Sequence, residues 1–135
     1  MTVIAFDFGT KRIGVAVGQA FTGTAQPLTQ VTNNNQKIHW QAIDDIIEEW
    51  RPAELVVGLP LNMDDTDSKI SIKAKKFAKQ LEEHYSKPTH LVDERLSSRE
   101  AKDRLEQTGK TRYSKEQLNS MAAVVILEGY FAEQH

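Results

Sequence analysis

Two carboxylates, Asp7 and Glu94, are candidate catalytic groups, and each lies at the end of an apolar run, far from the other in the sequence. Strand alternation puts Asp7 on the same face as Val3 and Ala5, so its carboxylate is expected in or beside the core. A carboxylate removed from water needs a cation, a metal ion or several hydrogen-bond donors. Each acid alone favours a plainer role: Asp7 as an acceptor in the following turn, and Glu94 as a charge ahead of a helix capped at Ser97. The chemical interpretation therefore depends on the two acids meeting.

The elements that would position these acids follow from hydrophobic periodicity, which predicts the order β-β-β-α-β-α-β-α-α. Strands are predicted within 3–10, 13–18, 23–35, 55–60 and 89–92, and a short helix follows the capping box at 97–100. The longer helices carry the stripes Ile43/Ile46/Ile47/Trp50, Ile70/Ala74/Phe77/Ala78/Leu81/Tyr85 and Leu118/Met121/Ala122/Val125/Gly129. A hairpin followed by βαβ crossovers predicts an α/β fold with a mixed sheet and helices on its faces. Sites in such sheets form beyond the carboxyl ends of parallel strands, where both acids would lie.

Two clustered acids favour a hard divalent cation, because carboxylate oxygens are the ligands that Mg²⁺ or Mn²⁺ prefers. A pair of such ions about 3.5–4 Å apart activates water and stabilises the leaving oxygen in phosphodiester cleavage. Zinc is disfavoured, since the chain has no cysteine and its four histidines lack metal-ligand spacing. A phosphate-binding P-loop is excluded by Val15 at its lysine position, and the acidic segment 62–68 lacks the glycine and closing glutamate of an EF-hand.

Composition predicts one globular domain over residues 1–135, with no membrane-spanning segment and a cytoplasmic location. The formal net charge is −2, but the charge is unevenly distributed. Residues 69–115 hold 13 of the 17 lysines and arginines and 7 of the 19 acids, a net +6, which leaves −8 for the rest. Such asymmetry suits a phosphate-facing surface and equally suits solvated helix faces. For the lysines of the second helix, ordinary solvation is the expectation.

Four segments closely resemble the YqgF/RuvX family: DFGTKRIGVAVG at 7–18, VGLPLNMD at 57–64, DERLSS at 93–98 and AAVVIL at 122–127. The resemblance covers almost the whole chain, with the segments in order and at fitting spacings. It implies an RNase H-like fold, with a mixed five-stranded sheet flanked by helices. Members of the family are described as candidate Holliday-junction resolvases and as candidate nucleases that mature the 5′ end of pre-16S rRNA.

The resemblance also implies three catalytic, metal-binding positions, which map onto Asp7, Glu94 and Asn119. The third position usually holds aspartate in the family, so Asn119 would supply a neutral oxygen and a weaker metal site. Basic and aromatic residues at predicted turns and loops are the candidates for phosphate and base contacts. They are Lys11, Arg12, Arg95, Lys110, Arg112 and Tyr113.

The leading hypothesis is an endonuclease that depends on Mg²⁺ or Mn²⁺ and acts on structured nucleic acid, with pre-rRNA as the first candidate substrate. A junction resolvase acting on branched DNA is the alternative enzyme, and it would favour a symmetric dimer. A non-catalytic nucleic-acid or ribosome-assembly binder, with its metal site weakened at Asn119, is the alternative from another class. An ATPase of the sugar-kinase and actin superfamily, whose phosphate loop resembles Asp7-x-Gly9-Thr10, needs two such domains, and 135 residues supply one.

Overall fold

Five strands and three helices make up the described part of the chain. The computed structural model describes residues 1–9, 11–34, 37–59, 69–93 and 115–133, with the side chains of the last helix described from residue 120. The strands are β1 (Thr2–Asp7), β2 (Arg12–Gln19), β3 (Thr24–Thr32), β4 (Glu54–Leu59) and β5 (Thr89–Asp93). The helices are α1 (Trp40–Trp50), α2 (Lys69–Tyr85) and α3 (Lys115–Glu133). The short helix predicted after residue 97 lies outside the described residues.

The strands form one mixed sheet in the order β3-β2-β1-β4-β5. The three N-terminal strands pair antiparallel, as the short turn between β1 and β2 predicts. β4 pairs parallel to β1, with Phe6 beside Val57, and β5 pairs parallel to β4, with Asp93 beside Leu59. The prediction of a mixed five-stranded sheet is therefore confirmed, and the carboxyl ends of β1, β4 and β5 share one edge, called the carboxyl edge below.

Side-chain alternation along β1 divides the core into two layers on opposite faces of the sheet. Ile4 and Phe6 pack with the apolar stripes of α1 and α2, in which Ile43, Phe77 and Leu81 are buried. On the other face Val3 and Ala5 pack against α3. The stripes predicted for α1 and α2 are confirmed in their buried central positions, because each helix covers the sheet with one face only.

The direction of α3 across the sheet is fixed at both ends. Near its start the Ser120 hydroxyl donates to the Thr29 carbonyl oxygen, 3.3 Å away, and Thr29 lies at the level of Phe6 through Val15. Near its end the Tyr130 hydroxyl donates to the Glu54 carboxylate at 2.7 Å, at the level of Val3. The helix therefore begins toward the carboxyl edge and runs antiparallel to β1.

The buried face of α3 differs from the predicted stripe. The buried residues are Ser120, Ala122, Ala123, Val124, Ile126, Leu127, Tyr130 and Phe131. Gly129, predicted in the stripe, is exposed, and Val125 is half-buried. The prediction was wrong at these positions because 121–127 is apolar at every residue, so periodicity does not select one face. Within the described ranges, none of the helices is long and apolar enough to span a membrane.

Candidate functional site

Asp7 is the last residue of β1 and lies at the carboxyl edge. It is half-buried, pairs with Gly14 of β2, and alternation places it on the α3 face of the sheet with Val3 and Ala5. The expected position beside the core is therefore what the structure has. The carboxylate stands between the apolar α3 layer and solvent.

The turn after Asp7 is held in place by a close backbone approach and by Asn33. A Cβ atom at Gly9 would overlap the Arg12 carbonyl oxygen, so the turn requires glycine. The Asn33 side-chain amide donates to the Gly9 carbonyl oxygen at 3.3 Å, and the Asn33 backbone N–H donates to the Lys11 carbonyl oxygen at 2.8 Å. These bonds hold the turn against the end of β3.

Lys11 and Arg12, predicted to contact phosphate, are both exposed and follow this turn. Arg12 begins β2 two residues before Gly14, the partner of Asp7. The structure thus brings two cations and one carboxylate to the same edge of the sheet. Sequence reasoning missed Asn33, since a run of three asparagines predicts a loop but not which backbone groups it binds.

The remaining predicted site residues lie outside the described residues or have undescribed side chains. Glu94, Arg95, Lys110, Arg112 and Tyr113 belong to the first group, and Asn119 belongs to the second. The structure does describe the segments next to two of them, β5 before Glu94 and the part of α3 around Asn119. β5 ends at Asp93 on the carboxyl edge, and Val92 packs against the α3 layer.

The backbone of Asn119 lies in α3, directly before Ser120, which is bonded to β3 at the level of Phe6. Asp7 and the first part of α3 therefore occupy the same end and the same face of the sheet. Among the described residues there is no group of three histidine, cysteine or acidic side chains able to hold a metal ion. Asp7 is the predicted ligand whose side chain the structure describes.

A polar cluster at the opposite end of the sheet connects α3 to β4 and β5. Glu54 accepts from Tyr130, its carboxylate lies 3.7 Å from the imidazole Nε2 of His90, and the His90 and Tyr130 rings stack with centroids 5.3 Å apart. Burial, followed by the bond to Glu54, raises the pKa of the Tyr130 phenol to about 12. Glu54 begins β4, so this cluster is structural and separate from the carboxyl edge.

A half-buried phenol connects the two helices of the other layer. The Tyr85 hydroxyl at the end of α2 donates to the Asp44 carboxylate of α1 at 2.5 Å. Burial and this bond raise the pKa of Tyr85 far above its ordinary value. The contact fixes α2 relative to α1.

Sequence comparison finds a family model described as "RuvX: Holliday junction resolvase" that matches residues 1–133. A protein of Alcanivorax borkumensis named "Putative pre-16S rRNA nuclease" is 47% identical over 130 residues, which are 96% of this chain and 95% of that one. A protein of Escherichia coli O157:H7 with the same name is 46% identical over 133 residues, covering 98% and 96% of the two chains.

Among solved structures, RuvC of Thermus thermophilus in complex with a Holliday junction substrate superposes with a TM-score of 0.58 and 13% identity. It covers 99% of this chain and 95% of that one. The Fowlpox virus resolvase, solved with Holliday junction DNA, gives a TM-score of 0.59 at 11% identity and covers 99% of both chains. At these identities the likeness shows the fold, which is the RNase H-like fold of these resolvases.

Proposed function

The chain belongs to the RuvX family, and from that premise we propose that it is a nuclease that hydrolyses phosphodiester bonds in structured nucleic acid, with pre-16S rRNA as substrate. Two relatives that cover nearly the whole chain carry the name of such a nuclease. The cytoplasmic location predicted from sequence belongs to the same proposal. The observation that carries it is the placement of Asp7 at an edge that β4 and β5 also reach with their carboxyl ends.

Asp7, Glu94 and Asn119 are the residues proposed to hold Mg²⁺ or Mn²⁺. Asp7 is suitable as a metal ligand because it is half-buried at the carboxyl edge, on the α3 face of the sheet. β5, which directly precedes Glu94, is separated from β1 by β4 alone, about 10 Å between backbones. All three residues offer oxygen atoms, which suits a hard cation.

The bound metal would lower the pKa of a water molecule and stabilise the leaving oxygen. The chain's own cations would position the phosphate backbone. Lys11 and Arg12 do so from the turn beside Asp7, and the proposal extends this role to Arg95, Lys110 and Arg112, with Tyr113 stacking on a base. Asn119 supplies one negative charge fewer than aspartate, so we expect the metal to bind more weakly than at a site with three acids.

The test is cleavage of a pre-16S rRNA fragment in Mg²⁺ or Mn²⁺ by the native chain, Asp7→Asn and Asn119→Asp, with chelator as the metal-free control. Since loss of a group that only orients a metal ligand costs 10–100-fold, loss of Asp7 should cost more than about 100-fold. Asp45→Asn is the matched control, because it makes the same change at an exposed position of α1 and should leave the rate unchanged. Cleavage by Asp7→Asn at the native rate would exclude the assigned site.

A four-way DNA junction is the second substrate, because the family description and the solved neighbours name Holliday junctions. Cleavage of the junction and not of the rRNA would replace the proposed substrate with branched DNA. If the native chain binds both substrates and cuts neither while Asn119→Asp cuts, the protein is a binder whose metal site asparagine has weakened.

A further inference from the structure

A cleft of about 500 Å³ opens on the α2 face of the sheet, directly beside the carboxyl edge. It begins at Phe8, the residue after Asp7, and extends between the segment that follows β3 and one face of α2. The volume lies in the range of sites that take small organic ligands. One nucleotide is of suitable size.

The inner wall of the cleft is aromatic. Phe8 and Trp40 are half-buried, and both pack on Phe77 with ring centroids 5.1 and 5.9 Å away. Trp40 also stacks on His84 at 4.2 Å. Because the neighbouring rings fix Phe8 and Trp40, they give the cleft a preformed apolar surface on which a base can stack with little loss of side-chain entropy.

The rim of the cleft is cationic. Lys73 and Lys76 project from α2 at i and i+3, with the half-buried amide of Gln80 on the same face, and Lys37 comes from the segment after β3. The lining residues that the structure describes include no carboxylate. Three exposed ammonium groups from two separate segments thus surround an aromatic surface, whereas Lys75 and Lys79 of the same helix lie away from it.

We propose that this cleft binds a flanking nucleotide of the substrate strand, with its base on Phe8 and Trp40 and its phosphates at Lys37, Lys73 and Lys76. This nucleotide site rests on the proposed function. The substrate strand would reach the cleft by crossing the carboxyl edge from the phosphate that Lys11 and Arg12 position beside Asp7. A concave cleft of this size accepts a base only when the base is unstacked, so the flank must be single-stranded. Two of the α2 lysines thereby have a specific role in addition to solvation.

The first test measures binding of a fluorescent single-stranded RNA oligonucleotide by anisotropy in chelator, at about 0.15 M salt and then over a series of salt concentrations, so that neither metal nor cleavage is needed. The double variant Lys73→Ala/Lys76→Ala should bind roughly tenfold more weakly and lower the salt slope by about 1.4, since each phosphate contact on a single strand contributes about 0.7. The matched control Lys75→Ala/Lys79→Ala removes the same charge from the same helix and should stay within about twofold. Equal losses in the two variants, or no binding by the native chain, would overturn the proposal.

The second test locates the base by photocrosslinking an oligonucleotide that carries 5-iodouracil and mapping the modified peptide. We expect adducts at Phe8 or Trp40, and adducts confined to other segments would overturn the proposal. A DNA oligonucleotide of the same sequence distinguishes a ribose-dependent site from one that reads only base and phosphate. Retained binding with absent cleavage would refute the nuclease and not the cleft, so failure of one is distinguishable from failure of the other.

Discussion

The identity of Gly9, two residues after Asp7, is dictated by the backbone around it. The Arg12 carbonyl oxygen occupies the place that a Cβ atom at Gly9 would need, and the Gly9 carbonyl accepts from the side chain of Asn33. A larger residue must push apart the turn that joins β1 to β2. The overlap would be between a Cβ atom and a backbone carbonyl oxygen, so no side-chain rotation can relieve it.

We expect Gly9→Ala to lower the free energy of unfolding by roughly 1–3 kcal/mol, as overpacking typically does. Gly129→Ala is the control, since a Cβ there meets nothing within 4 Å and Gly129 lies exposed in α3. That change should raise the free energy of unfolding by up to about 1 kcal/mol, because alanine is the better helix former. Urea titration measures both values, and a stabilising Gly9→Ala would show that the turn adapts.

The sequence marked Asp7 as an unusual residue without deciding its role, because each acid alone favoured a plainer role and the site depended on both acids meeting. Asp7 was recognisable because an acid inside an apolar strand is costly, and its position beside the α3 layer agrees. Asn33 and the lysines of α2 carry no such signal, because an exposed polar residue is ordinary in any pattern. Their roles depend on which other segment lies opposite, Gly9 in one case and Phe8 in the other.

Among the elements, α3 connects the two ends of the sheet. Ser120 binds β3 toward the carboxyl edge, and Tyr130 binds Glu54 at the start of β4. Between them the helix approaches β2 closely, since a Cβ at Gly18 would lie 2.9 Å from both Leu127 and Phe131. These contacts fix the position of the first turns of α3, including Asn119.

The alkaline stability of this element depends on Tyr130, whose pKa is raised from 10.0 to about 12. The folded state holds the phenol proton more tightly, so the stability from this group is complete below pH 10 and is lost as the pH rises from about 10 to 12. Tyr130→Phe should cost about 1 kcal/mol at pH 8 through the lost hydrogen bond. The difference between native and variant should then shrink toward pH 12.

Urea unfolding at several pH values between 8 and 12 measures this difference. Tyr85, whose pKa is also raised, remains in the variant, so part of the alkaline decline should persist. A difference that stays constant across this range would show that the Tyr130 phenol does not titrate with unfolding.

The buried face of a helix was predicted correctly where the apolar pattern allows only one face. The α1 stripe of Ile43, Ile46 and Ile47 alternates with charged residues and is buried as predicted. In α3 the uninterrupted apolar segment allows several faces, and the choice is made by contacts with β1, β2 and β3 that are distant in sequence. The mixture of antiparallel and parallel pairs followed from the short connection between β1 and β2 and from the later βαβ crossovers, whereas the strand order came only from the structure.

The sheet lies between two apolar layers and contributes side chains to both of them. Adjacent residues of β1 enter opposite layers, Ile4 and Phe6 on one side and Val3 and Ala5 on the other. Removing either cover exposes strands that the other layer also needs. We therefore propose that residues 1–135 form a single cooperative domain, as the sequence predicted.

Leu127→Ala tests this coupling, because Leu127 is fully buried in the α3 layer while both tryptophans, Trp40 and Trp50, lie at the ends of α1 on the other side. The truncation should cost about 2–5 kcal/mol. If the layers unfold together, tryptophan fluorescence and far-ultraviolet circular dichroism should show the same lowered urea midpoint. Ile43→Ala, fully buried in the opposite layer, should shift both signals in the same way. If Leu127→Ala leaves the fluorescence midpoint unchanged, the layer that contains α1 and α2 folds without α3. The sheet would then not couple the two layers, and it would not fix Asp7 relative to the start of α3.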